Sequence, residues 1–498
     1  MSASVLEHPE LVNGANPLLE AAAPYISFDK LPGKLKREPL KGCDWRSVDP
    51  ARRASLLALG EQHYWPNRIV LDLADTIQSM LRGGLMARNP LSVAEQRRIN
   101  NLAQADEVRQ VPLQSLRVRA GGGIISAITG IGKSALLERT LDVVAPDQVV
   151  VHGRSEACGW STLTQVLYLI IDAPSNGTRG GLLARIVAAL DTLLGTDYYD
   201  TFRKLRNLDA SLLFVTKLLS NHRVGLLAID ENQQDNFDEC IWQRSFVLFF
   251  LGLMNLGIPV LLLGNPLAFT GLEAASQTMR RFSTSGYYKL APAASPSEPW
   301  WARDHVPGMC QFLLCDEAPP IAEIIEATFG MSAGVPGLFG PIWFEAQRVA
   351  LRRGGQHICM TRGDLMAATR SPRVTELLAM ASQILGATKD QRFLDIPLGP
   401  SGKRNEVPPS TNVRVADGVD ISSVDGEEAS AQIASVMASF QKKAQAKRDK
   451  AAKNKGLIDS LSPEDLRAQT VQMEIFAGLQ GMQEPLLPGG RKGLSKQR

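Results

Sequence analysis

Residues Ala127 to Ser134 read AITGIGKS, which places two glycines, a lysine and a hydroxyl within five positions. Glycines 130 and 132 can curl the backbone so that successive N–H groups face phosphate oxygens, and Lys133 can neutralise the β- and γ-phosphates. Ser134, at the start of a helix, can bind Mg2+. The run matches the pattern G-x-x-x-x-G-K-S except at its first position, where Ala127 is small enough to keep the turn. A chance Gly-Lys-Ser turn is the plain alternative, but an apolar run precedes this one and an amphipathic stretch follows it. Ala127, Thr129, Gly130, Ile131, Gly132, Lys133, Ser134 and Ala135, together with Asp230, are the expected cradle for ATP, with Ser134 and Asp230 on Mg2+.

A second group of chemistry-bearing residues lies downstream. The apolar run Val224 to Ile229 delivers Asp230 and Glu231, at the end of a sheet where a phosphate loop would lie. Asp230 is expected to hold Mg2+ through water, and Glu231 to orient or activate the water that attacks a γ-phosphate. The next apolar run ends at Gly264-Asn265, and Asn265 can hydrogen-bond the same water. Arg280-Arg281-Phe282 follows a helix, where an arginine can reach a neighbouring subunit's phosphate. Taken alone, that pair is a solvated helix end, and its order along the chain favours the catalytic reading.

These residues need a frame. Short apolar runs at Gly122 to Thr129, Gln148 to His152, Val224 to Ile229, Val260 to Gly264 and Tyr287 to Leu290 alternate with helical stretches, which predicts a five-stranded parallel sheet covered on both faces. Ahead of it, residues 1–60 read as a loosely structured arm with short helices. Residues 61–114 form a helical region in which Ile69, Leu71, Leu73, Ile77 and Leu81 predict a helix that stops at Gly83-Gly84. The nucleotide-binding core spans 115–306. Ile321 to Arg353 and Thr361 to Ala387 predict helices in a lid, 307–394. A Pro- and Gly-rich linker, 395–426, precedes a basic tail, 427–498, in which Ile433, Val436, Met437 and Phe440 share a helical face suited to a docking partner.

Composition sets wider bounds. In 498 residues, 44% hydrophobic content and 21% charged content fit a folded chain, and a net charge of +3 neither demands nor excludes nucleic acid. The apolar run Phe246 to Met254 falls far short of the roughly 20 residues of a membrane helix, so no membrane partner and a cytoplasmic location are expected. The six cysteines form no C-x-x-C pair and read as small buried hydrophobes.

The order GIGKS, LLAIDE, LLLGN, RRF and then a helical unit resembles the AAA+ ATPases over residues 115 to 390. Arg88-Asn89-Pro90, GLLAIDENQ, GIPVLLLGNP, Arg280-Arg281-Phe282 and the lid segment SAGVPGLFGPIWFEAQRVALRRG are similar to the TnsC or TniB branch, the ATP-dependent regulators of transposition. The resemblance implies an ATPase that forms homo-oligomeric rings or filaments on double-stranded DNA. It also implies partners: a transposase and a TniQ- or TnsD-like target-selection protein. DNA contacts in that family fall on loops after the second core strand, and Arg154, Arg179, Thr196 and Lys204 are the candidates here, each of which taken alone reads as a surface residue. This sequence departs from the family at Ala127 and at Gly337, where many AAA+ lids carry a sensor arginine. A competing reading is a nucleotide-gated signalling or scaffold protein that touches no DNA.

Overall fold

A computed structural model describes residues 11, 14–105, 119–174, 178–232, 249–269, 276–387 and 393. The chain divides into two compact units, Met1–Asn405 and Glu406–Arg498, and all described residues belong to the first. The amphipathic segment and basic tail of 427–498 lie outside the described residues.

In chain order the principal elements are α1 (Arg68–Met86), α2 (Val93–Gln104), β1 (Gly122–Ala127), α3 (Lys133–Val144), β2 (Val149–His152), β3 (Leu163–Val166) and β4 (Tyr168–Asp172). There follow α4 (Arg179–Leu194), α5 (Leu208–Asn221), β5 (Leu226–Asn232), β6 (Val260–Gly264), α6 (Ser276–Phe282) and β7 (Tyr287–Leu290). The helices α7 (Ile321–Ser332), α8 (Pro336–Arg353), α9 (Arg362–Ala368) and α10 (Thr375–Ile384) build the lid. Five strands form one parallel sheet in the order β4-β5-β6-β1-β7.

Every residue of β1 and β6 is buried, as a strand covered on both faces requires. Ile124, Leu227, Ile229 and Leu262 point to one face and pack with Leu183, Ile186 and Val187 of α4 and Val215 and Leu219 of α5. Ile125, Leu226, Ala228 and Leu261 point to the other, against Leu73, Ile77 and Leu81 of α1 and Leu137 and Leu141 of α3. The expected α/β P-loop architecture with a helical lid is what these residues form.

One strand differs from the sequence expectation. Gln148 to His152 does not enter the parallel sheet; β2 instead pairs antiparallel with β3 in a separate hairpin. The fifth strand is β4, which is separated from β3 by Leu167 alone and pairs with β5 from Tyr168↔Leu226 to Asp172↔Asp230. Leu167 is the joint: its N–H donates to Gln148 O at 2.8 Å, and its carbonyl accepts from Leu226 N at 3.0 Å.

Helix α1 also departs from expectation, running through Gly83-Gly84 to Met86. The glycines serve packing rather than termination, since a Cβ on Gly84 would lie 2.5 Å from the ring of Pro259. The lid stretch expected as one helix is two, because Ala333 (φ 52°) and Gly334 (φ 68°) turn the chain between α7 and α8. The second lid stretch likewise divides into α9, opened by a capping box of Thr361 and Asp364, and α10. The cysteines are not uniformly buried: Cys158 and Cys315 are, Cys310 and Cys359 are partly covered, and Cys43 is exposed. Cys240 lies outside the described residues.

Residues 14–62 are packed against both neighbours. Leu18 and Leu19 lie in the cluster under the sheet with α1 and α3, whereas Trp45 and Leu57 pack with Trp301, Phe339 and Trp343 around the lid. Polar contacts fix the path, among them Asn16 Nδ2 to Leu85 O (3.1 Å) and Arg53 Nη1 to Asp316 Oδ1 (2.8 Å). No helix among the described residues is long and apolar enough to cross a membrane.

Candidate nucleotide site

Strand β1 ends at Ala127, and α3 begins at Lys133. Between them Gly130 (φ 87°) and Gly132 (φ 98°) adopt the left-handed backbone that L side chains resist, which is what the loop needs these glycines for. Lys133 Nζ donates to the carbonyls of Ala127 (2.8 Å) and Ile128 (3.2 Å), folding the ammonium back over the loop. Ser134 Oγ donates to Asp230 Oδ2 at 2.5 Å.

Asp230 reaches Ser134 from β5, two strands away from β1, and is 5% exposed. The pairing of β5 with β6 carries one extra residue between Ile229 and Asn232, so Asp230 and Glu231 sit at a register irregularity. Such bulges re-aim side chains at the end of a strand. Glu231 lies on β5, and its side chain is outside the described ones. Asn265 follows β6 directly and is buried at 8% exposure. The sheet therefore brings the loop, Asp230 and Asn265 to the carboxyl ends of three adjacent strands, the edge where α/β sheets bind ligands.

This donor set fits a nucleoside triphosphate with a hard divalent cation. Backbone N–H groups at a glycine loop and helix start suit phosphate oxygens, and a hydroxyl beside a carboxylate suits Mg2+.

The lid adds a contact that sequence reading missed. Gly337 N donates to Gly130 O at 2.7 Å, so the first turn of α8 rests on the phosphate loop itself. A Cβ on Gly337 would meet Gly130 O at 2.7 Å and Gly130 Cα at 2.9 Å, so this close approach requires glycine. We expect Gly337→Ala to break this bond and weaken binding of a fluorescent ATP analogue about fivefold, the worth of one backbone hydrogen bond at roughly 1 kcal/mol. Unchanged affinity would remove the lid from the site.

Arg280 and Arg281 occupy the last turn of α6 and are exposed. Phe282 beside them is fully buried and packs edge-on to Phe250 at 6.2 Å, anchoring the helix end that carries the pair.

The DNA candidates lie apart along the chain. Arg154 is exposed on the β2–β3 connection and pairs with Glu156 at 2.9 Å. Arg179 opens α4, and Lys204 is exposed after the short helix Tyr198–Phe202. Thr196 has a local task, since its Oγ1 donates to Asp191 Oδ1 at 2.7 Å and that carboxylate also accepts the N–H groups of Tyr198 and Tyr199. Tyr198 packs inward and contacts His222 Nε2 at 2.9 Å, while Tyr199 is exposed.

No protein-family model matches the sequence, and no curated protein matches it. Solved structures do. Cdc6p from Pyrobaculum aerophilum is 12% identical, with 52% of this chain and 67% of that one covered and a TM-score of 0.34. The Aeropyrum pernix ORC1 protein in complex with DNA is 14% identical, with 60% and 72% covered and a TM-score of 0.35. The fold is an α/β core with a parallel five-stranded sheet, a glycine loop between β1 and α3, and a small helical lid, and this description stands on the chain's own strand order, loop and lid.

Proposed function

We propose that this protein is an ATPase that assembles as a homo-oligomeric ring or filament on double-stranded DNA. In this reading it connects a target-selection protein to a transposase, and ATP hydrolysis governs its disassembly. The observation that carries the ATPase reading is the Ser134–Asp230 contact beside the Gly130–Lys133 loop. The transposition reading rests on the likeness of the LLAIDE, LLLGN, RRF and lid segments to TnsC and TniB.

Within this reading the loop N–H groups and Lys133 hold the phosphates, and Ser134 and Asp230 hold Mg2+, which screens phosphate charge when bound. Glu231 orients or activates the attacking water, and Asn265 hydrogen-bonds it. Arg281, with Arg280 beside it, completes the site of a neighbouring subunit, which makes turnover depend on assembly. Arg154, Arg179, Thr196 and Lys204 remain the candidate DNA contacts, and such phosphate contacts would be salt-sensitive and largely sequence-independent.

The test is imaging the protein with duplex DNA and ATP, a slowly hydrolysed analogue or ADP. Rings or filaments on DNA with ATP are expected, and their absence in every state would favour the DNA-free scaffold instead. Glu231→Gln should keep ATP binding, lose turnover and prolong the life of these assemblies. An ATPase rate equal to wild type in that variant would refute its assignment.

A further inference from the structure

Away from the nucleotide residues, two segments of the lid lie side by side. Asp316 N donates to Ile358 O (2.8 Å) and Met360 N to Glu317 O (2.9 Å), and Glu317 and Cys359 form a parallel bridge. The bridge sets their side chains next to each other, and His357 reaches the same point. His357 Nε2 is 3.3 Å from Glu317 Oε1, and Cys359 Sγ donates to Glu317 Oε2 at 3.4 Å. One oxygen, one ring nitrogen and one sulfur lie within 4.8 Å of one another, the only such His, Cys and carboxylate grouping among the described residues.

We propose that Glu317, His357 and Cys359 bind a thiophilic divalent metal ion, zinc foremost, on the surface of the lid.

The donor set selects the ion. A thiolate with an imidazole favours zinc-class metals over Mg2+ or Ca2+, which take oxygen ligands, and three protein ligands leave a fourth tetrahedral position for water or a ligand from another molecule. The supporting shell is also present. His357 Nδ1 lies 3.7 Å from Asp316 Oδ2, so one ring nitrogen can face the metal while the other faces a carboxylate. Asp316 is itself held, accepting from Ile358 N (2.7 Å) and from Arg53 Nη1 (2.8 Å).

The contacts among the three side chains are long and satisfy them weakly, at 3.3 and 3.4 Å. Glu317 and Asp316 both lie beside His357 and give the site an excess of negative charge. A bound divalent cation offsets that charge. Bound there, it would tie residues 357–359 to 316–317, and through Asp316 and Arg53 it would stiffen the seat of the N-terminal arm on the lid. Nothing in this depends on the nucleotide site.

The test uses the full chain, kept reduced with a phosphine, and Co2+ as an optical probe. Titration should give one saturating equivalent with a thiolate-to-cobalt charge-transfer absorption that Zn2+ abolishes by displacement. Cys359→Ser should remove the absorption, and His357→Ala should weaken binding at least about tenfold. Affinity should rise with pH, because the thiol must lose its proton to bind. Zn2+ should raise the unfolding midpoint of the wild type and leave that of Cys359→Ser unmoved. No absorption in the wild type, or an undiminished one in Cys359→Ser, would overturn the proposal.

Discussion

Replacing Glu95 by alanine is expected to destabilise the protein by about 3–5 kcal/mol, the cost of breaking a buried ion pair by removing one partner. Glu95 is 2% exposed and accepts two hydrogen bonds from Arg98, at 2.6 and 2.7 Å, and one from Arg223 Nη1 at 3.0 Å. Arg88, fully buried, belongs to the same cluster and donates to Gly84 O (2.9 Å) and Val224 O (2.7 Å). Burial, followed by Arg98, already pushes the Arg88 guanidinium down to about 9, and Glu95 opposes that shift. Among the described residues Glu95 is the carboxylate of this group, and Arg88 Nη1, Arg98 Nη1 and Arg223 Nε have no partner. Without Glu95, three guanidiniums would face one another out of water. Because the cluster joins α2 to the end of α5 and the approach to β5, its loss should free the helices ahead of the core from the sheet.

Denaturant unfolding measures this, with Arg154→Ala as the control. That exposed residue also forms an ion pair, at 2.9 Å with Glu156, yet its loss should change stability by less than about 0.5 kcal/mol. Glu95→Gln keeps the shape and removes the charge, so a cost close to that of alanine would assign the effect to electrostatics. A loss under about 1 kcal/mol in Glu95→Ala would mean the arginines are hydrated or re-paired.

What was legible in the sequence followed from local chemistry. Gly130 and Gly132 could be read because a positive φ is a single-residue demand. Asp230 could be read because a buried strand ending in an acid leaves it at the sheet edge, and it does meet Ser134. The features that the sequence does not disclose depend on partners distant in the chain. Residues 163–172 read LTQVLYLIID with no Gly or Pro to break them, and only the contacts of Leu167 with Gln148 and Leu226 divide the stretch between a hairpin and the parallel sheet. The segment Gly334-Val335-Pro336-Gly337 lies inside a stretch expected as helix, and its contact with Gly130 is 207 positions away, from 337 back to 130. Glu95 and Arg98 sit three apart on α2, a spacing that marks a solvated pair on most helices, and only their burial under Arg88 and Arg223 changes its meaning.

Lys133→Ala should leave the chain folded and remove most of its affinity for ATP. A lysine at the first position of a helix opposes the helix dipole, so α3 gains nothing from its charge. The ammonium is held by the carbonyls of Ala127 and Ile128, at the end of the strand that carries the loop. Its task in the proposed function is charge on phosphate, and a hydrogen bond involving a charged group is worth roughly 1.5–3 kcal/mol, or about tenfold to 150-fold in affinity. Ser134→Ala provides the contrast. It removes the 2.5 Å contact with Asp230 and leaves Lys133 in place, so it should raise the Mg2+ concentration needed for turnover more than it weakens nucleotide binding. Titrating both variants with a fluorescent ATP analogue, with and without Mg2+, separates the two roles. If Lys133→Ala bound the analogue as tightly as wild type, the loop would not hold phosphate, and the ATPase reading would fall with it.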